Sequence, residues 1–129
     1  MSEPLWLDRD AVIALHAESL AEFGGAPGLR DAGLLESALA RPQNRFAYEG
    51  VTDVPTLAAA YAFGIVRTHP FADGNKRAAF GAVGMFLGVN GLALKADKAE
   101  ATAAMLSLAA GETSEAEFAA WLRARARPR

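Results

Sequence analysis

The chain of 129 residues contains no cysteine. That excludes disulfides and thiolate-bound metals, and it makes a reducing compartment the natural expectation. No segment holds the roughly 18 uninterrupted apolar residues of a membrane span, and the opening MSEPLWLDRD lacks a basic stretch followed by an apolar run. A cytoplasmic protein without membrane contact is therefore expected. Excess charge of either sign is missing too, with 13 Lys and Arg against 15 Asp and Glu. Bulk electrostatics thus gives no case for direct nucleic-acid binding, and any phosphate site must be local. Strand signals are nearly absent, and only two histidines occur, His16 and His69.

What is present is helical periodicity. Apolar residues recur at three and four in runs rich in Ala and Leu, so the spacing predicts an all-α compact bundle of about six helices. A chain of this length forms one domain, residues 1–129. The first helix is expected to start with Asp8 as N-cap and to carry Val12, Ile13, Leu15, His16, Leu20 and Phe23 before Gly24 and Gly25 stop it. A second runs from about Asp31 to Arg41, ended by Pro42. In PQNRFAYEGVTDV, Phe46 and Tyr48 alternate, which reads as an irregular or hairpin flap at 43–52 able to receive a target segment by strand addition. Pro55 opens a buried central helix that ends at His69, because Pro70 disfavours helical geometry at the residue before it. A helix from Asn75 closes at Asn90-Gly91, and two more follow near 97–110 and 115–126, the last with a Ser114/Glu117 capping box. Residues 123–129, with four alternating arginines, read as a solvated basic tail.

One stretch departs from this pattern. HPFADGNKRAAF, residues 69–80, places a histidine, a carboxylate, a glycine, an amide and two cations at a helix–loop–helix junction. The first N–H groups of a helix lack intrahelical partners and carry partial positive charge, so the turn at Gly74-Asn75-Lys76 offers an anion site. Gly74 lets the backbone approach a ligand, Asn75 can donate from its amide, and Lys76 and Arg77 add full charges suited to phosphate. Asp73 beside a phosphate makes sense with Mg²⁺ between them. His69 is the side chain suited to take a proton near neutral pH. Taken singly, each residue has an ordinary structural use; their conjunction does not. Phe71 reads as an apolar pin that holds the loop on the core. His16, Trp6 and Trp121 read as packing residues.

HPFADGNKR resembles the Fic/Doc motif, H-x-F-x-[D/E]-G-N-[G/K]-R, at every fixed position, with Lys in the eighth place. That lysine, the short all-helical chain and the preceding EFGGAPGLRDAGLLESALARPQ are similar to the death-on-curing (Doc) branch, the toxins of toxin–antitoxin pairs. The similarity spans about residues 5–122. By this resemblance His69 is the base that activates a protein hydroxyl and Asp73 the Mg²⁺ ligand. Gly74, Asn75, Lys76 and Arg77 are implied to bind the phosphates of ATP, and Phe71 to anchor the loop.

Two positions separate the chemistries that the resemblance allows. AMP-transferring Fic enzymes have Gly where this chain has Lys76, and a second Arg where it has Phe80. Doc-like proteins share both changes and are understood to present the γ-phosphate instead. The implied reaction is phosphorylation of a threonine in a translation factor, elongation factor Tu by resemblance, with arrest of translation. A Fic-type AMP transferase and a catalytically idle binding module are the alternatives. Self-inhibiting Fic proteins carry [S/T]-x-x-x-E-[G/N]; the one Glu-Gly here, Glu49-Gly50, has Arg45 four residues before the glutamate. A separate antitoxin, folding a disordered segment onto the cleft, is therefore the expected partner.

Overall fold

The computed structural model describes residues 3–129. Helices α1 (Arg9–Phe23), α2 (Ala32–Glu49), α3 (Val54–Thr68), α4 (Asn75–Val89), α5 (Lys98–Ala109) and α6 (Glu115–Arg125) surround one continuous core, and two short strands, β1 (Leu92–Leu94) and β2 (Ala126–Pro128), pair antiparallel. The all-helical expectation holds. Helix α3 is the axis of the bundle, packing against α2, α4 and α6. Its alanines at 58, 59, 60 and 62 are fully buried, small enough to let neighbours come close, while Tyr61, Phe86 and Phe118 fill the space between elements. Each buried Phe contributes roughly 1.5–3 kcal/mol by leaving water.

Helix starts follow the cap chemistry of the sequence. Asp31, Asp53 and Asp97 each accept from the backbone N–H three residues on, and Ser114 with Glu117 forms the full capping box. Asp8 occupies the N-cap position of α1 in extended geometry without a side-chain cap bond.

The proposed flap at 43–52 is a correction. Pro42 lies buried inside α2, which continues to Glu49 and ends on left-handed Gly50. Phe46 prolongs the helical stripe of Leu35, Ala38, Leu39 and Pro42, packing edge-on against Trp6 at 5.7 Å between ring centroids. Tyr48, 85% exposed, never belonged to a second face. Pro42 cannot donate to the Ala38 carbonyl, and α3 packs closely there: a Cβ on Gly64 would lie 3.1–3.3 Å from the backbone and side chain of Ala38. The break in the α2 ladder is thus backed by a neighbouring helix.

The C-terminal segment is also corrected. Arg123 and Arg125 belong to α6, and 126–128 form β2, with Leu94 opposite Ala126 and Leu92 opposite Pro128. Arg129 closes the clasp through its N–H to the Gly91 carbonyl and its guanidinium to the Gly88 carbonyl. Three-residue strands leave too short an alternation for period-two reasoning to detect. Among the described residues no helix is long and apolar enough to cross a membrane.

Candidate active site

The end of α3 carries the first piece of the site. Thr68 turns its hydroxyl back to the Gly64 carbonyl at 2.7 Å, and His69 leaves the helix at φ 52°, ψ 61°. It is the one non-glycine residue with positive φ among the described residues. For a side chain with a Cβ this conformation costs roughly 1–2 kcal/mol, so surrounding contacts must impose it. They come from the segment between α1 and α2. Arg30 donates from Nε to the His69 carbonyl and from Nη2 to the Thr68 carbonyl, both at 2.7 Å. The Arg30 and Asp31 N–H groups both reach the Pro70 carbonyl, at 2.7 and 3.0 Å. The His69 imidazole is left exposed.

Beyond Pro70 the chain pairs with the same segment, Leu29 against Phe71 in an antiparallel bridge and the Ala72 N–H on the Gly28 carbonyl. The extended neighbour of the motif is therefore 24–31, not 43–52. Phe71 is 1% exposed and stacks on the buried His16 ring with centroids 3.8 Å apart. His16 Nε2 lies 2.7 Å from the Asp73 carbonyl oxygen, which can only accept, so that nitrogen carries the proton. Asn75 accepts from the Phe71 N–H and donates to the Phe71 carbonyl, both at 3.0 Å. One of its two amide N–H groups is thus engaged by the loop, which leaves the other, with the backbone N–H, free to donate at the anion site.

The carboxyl of Asp73 is exposed and accepts from the Gly74 N–H at 2.8 Å and the Ala26 N–H at 3.3 Å. Those two donors, with the nearby Arg77 charge, hold it below the usual carboxylate range. Gly74 is left-handed at φ 74° and caps α4; a Cβ there would press on the Arg77 guanidinium at 3.0 Å. Gly25, at φ 125°, faces the same pair, and a Cβ on it would sit 2.8 Å from the Asp73 carboxylate. Both glycines are needed for the backbone to come this close to the charges. The first turn of α4 then presents unpaired N–H groups with Lys76 exposed and Arg77 half-buried. Arg77 donates to the Gly24 carbonyl at 2.9 Å and lies over the Phe23 ring, which leaves further guanidinium donors.

A groove of about 750 Å³ opens beside this turn between α1, α4 and α5, with Leu15, Phe23, Phe80 and Met105 along it and Lys76 and Arg77 at its edge. No group of three or more His, Asp or Glu able to cage a metal exists among the described residues. An ionised, exposed, single carboxylate next to an anion site nevertheless fits Mg²⁺, which takes one or two carboxylates and completes its shell with phosphate oxygens and water.

The structure brings His69, Asp73, Gly74, Lys76 and Arg77 to one turn, with Phe71 and Asn75 supporting it from behind. Sequence reasoning did not find the structural parts of Arg30, Gly25 and Ala26, nor the hold of His16 on the loop. The glycine density of GGAPGLRD was the available signal, since such a run allows close backbone pairing.

An exposed histidine at a strained helix end stands next to a helix N-terminus furnished with two cations and an ionised aspartate, all on a helical bundle. The chain belongs to the Fic/DOC family, whose model matches residues 6–87. It is similar to the protein kinase doc of Escherichia phage P1, 37% identical over 114 residues that cover 88% of this chain and 90% of that protein. It is also similar to the toxin Doc of Mycolicibacterium smegmatis, 46% identical over 95 residues, 71% of this chain and 69% of the relative. Within the family it falls with the Doc toxins.

Proposed function

We propose that the protein is a Doc-type toxin that moves the γ-phosphoryl group of ATP to a threonine hydroxyl of a translation factor, elongation factor Tu by resemblance, and so arrests translation. The reading rests on one observation. At the α3–α4 turn Lys76 and Arg77 stand without a carboxylate partner among the described residues, one turn of chain from the exposed imidazole of His69. The name of the phage relative, a protein kinase, supports the same chemistry.

In this reaction the substrate hydroxyl gives its proton to a His69 ring nitrogen as its oxygen bonds to the γ-phosphorus, and the bond to the β-phosphate oxygen breaks to release ADP. Lys76, Arg77 and the α4 N–H groups neutralise and orient the phosphates. Asp73 would hold Mg²⁺, which when bound offsets phosphate charge. Phe80, in the place of a second arginine, lines the groove and adds no cation to it. The groove edge is also where a separate antitoxin, folding a disordered segment across α1, α4 and α5, would cover Lys76 and Arg77 and silence the site. ATP and the target place the activity in the cytoplasm.

The test supplies ATP labelled at the α- or the γ-phosphate together with elongation factor Tu. Transfer of the γ label, abolished in His69→Ala, is expected. Transfer of the α label instead makes the protein an AMP transferase. Growth inhibition that survives His69→Ala, with neither label moving, makes it an idle binding module.

A further inference from the structure

The left-handed turn at His69 caps α3, its N–H on the Ile65 carbonyl at 3.0 Å, yet the residue type does not by itself favour it. The residue is not glycine, and its neighbour Pro70 favours extended geometry at the position before it. The side-chain contacts on the carbonyls of the turn come from Arg30, and the Asp31 N–H joins the Arg30 N–H on the Pro70 carbonyl. Three consecutive peptide planes, those of Thr68, His69 and Pro70, thereby bond to Arg30, the first two through its guanidinium and the third through its N–H with that of Asp31. The same segment reaches the rest of the motif by backbone groups, Gly28 to Ala72, Ala26 to the Asp73 carboxylate and Gly24 to Arg77.

We propose that Arg30 is the positioning residue of the proposed base, a guanidinium clamp that turns His69 out of α3 and sets the imidazole relative to the phosphate cradle. The inference rests on the phosphotransfer reading. A bidentate fork suits the task, because two donors held in one plane fix the relative orientation of two carbonyls, whereas an ammonium holds at most a point. Arg30 is itself exposed. Losing its bonds also releases the strain at His69, so the net cost to stability is small, and a purely structural residue here would be cheap to lose in every respect. A clamp would instead be cheap for stability and costly for turnover.

The experiment compares the wild-type chain with Arg30→Gln and Arg30→Lys by three readouts: melting temperature, the His69 Cα shift and HN–Hα coupling that report φ, and kcat and KM for γ-labelled ATP with elongation factor Tu. The expected result for Arg30→Gln is loss of the left-handed signature, kcat lower by roughly ten- to a hundredfold, and KM for ATP within about twofold. Arg30→Lys, which keeps the charge but not the fork, should lie between. Should Arg30→Gln fail to fold, Arg30→Lys carries the same comparison. A left-handed His69 in both variants overturns the clamp, and so does full kcat in a variant whose His69 has relaxed. If the wild type transfers no phosphate, the phosphotransfer reading fails, and the φ measurement alone then decides whether Arg30 sets the turn.

Discussion

The two ends of α3 carry similar chemistry and use it differently. At its N-terminus a cavity of about 340 Å³ is lined by Arg41, Arg45, Glu49, Thr56, Glu115 and Arg123. There each guanidinium has found a carboxylate. Arg41 and Arg45 both bind Glu115, whose side chain is only 13% exposed, and Arg123 binds Asp53 at 3.1 Å. At the C-terminus Lys76 and Arg77 have no such partner among the described residues, and Asp73 is bonded by backbone N–H groups, not by a cation. Charge density is comparable at the two ends, so density does not mark the site. What marks it is charge that the fold has declined to neutralise, next to a helix start and a strained histidine.

The comparison is broken most sharply by removing the chemistry without the structure. His69→Ala should lower phosphate transfer by about 10²–10⁴-fold, the loss of a general base, and leave the melting temperature nearly unchanged. His69→Gly should go further. Transfer is lost as before, yet stability rises by roughly 0.5–1 kcal/mol, the strain relieved less the added backbone entropy. Calorimetry beside the γ-label assay checks both. A destabilised His69→Gly would mean that the left-handed turn carries no strain.

Asn75→Ala tests the support behind the site. Both bonds to Phe71 vanish, leaving a part-buried N–H and carbonyl unpaired at a cost of about 1–3 kcal/mol, and transfer falls with the loosened loop. Urea denaturation gives the first number and labelled ATP the second. At the opposite end Glu115→Ala leaves Arg41 and Arg45 without their shared acceptor and should cost about 1–2 kcal/mol, with transfer unaltered. A drop in transfer there would erase the distinction between the two ends.

How far these ends are legible in the sequence depends on range. The site lies within nine consecutive residues of one helix–loop–helix junction, so its chemistry and helix start are visible as local pattern. Most helix starts are equally local, down to the Ser114/Glu117 box. What escapes is set by partners far along the chain. Pro42 looks like a stop until α3 is packed against the break. Phe46 belongs to the helical stripe, but exposed Tyr48 two residues on imitates alternation. Arg123 and Arg125 look like a tail because Asp53 and Glu100, their acceptors, lie 70 and 25 residues away. The second use of Asn75, its bonds to Phe71, depends on a loop shape that 24–31 enforces.

The smallest expected effect separates the ends by pH. Burial pushes the Asp53 carboxyl up, but the Thr56 and Arg123 hydrogen bonds and the Arg123 charge outweigh it and hold the group below its ordinary value. A carboxyl depressed in the folded state stabilises above its unfolded value, and that contribution is lost as the pH falls through the folded one, below ~4. Since Asp53 is 43% exposed, the loss is small. Asp73 is depressed in the same direction by the Gly74 and Ala26 N–H groups, so the two sites overlap in acid. Substitution parts them. Asp53→Asn should flatten the fall of melting temperature below pH ~4 without altering transfer at neutral pH, whereas Asp73→Asn should reduce transfer at neutral pH through the proposed metal ligand. If Asp53→Asn also reduced transfer, the charge at the far end of α3 would be coupled to the chemistry, and the paired end could no longer be read as structure alone.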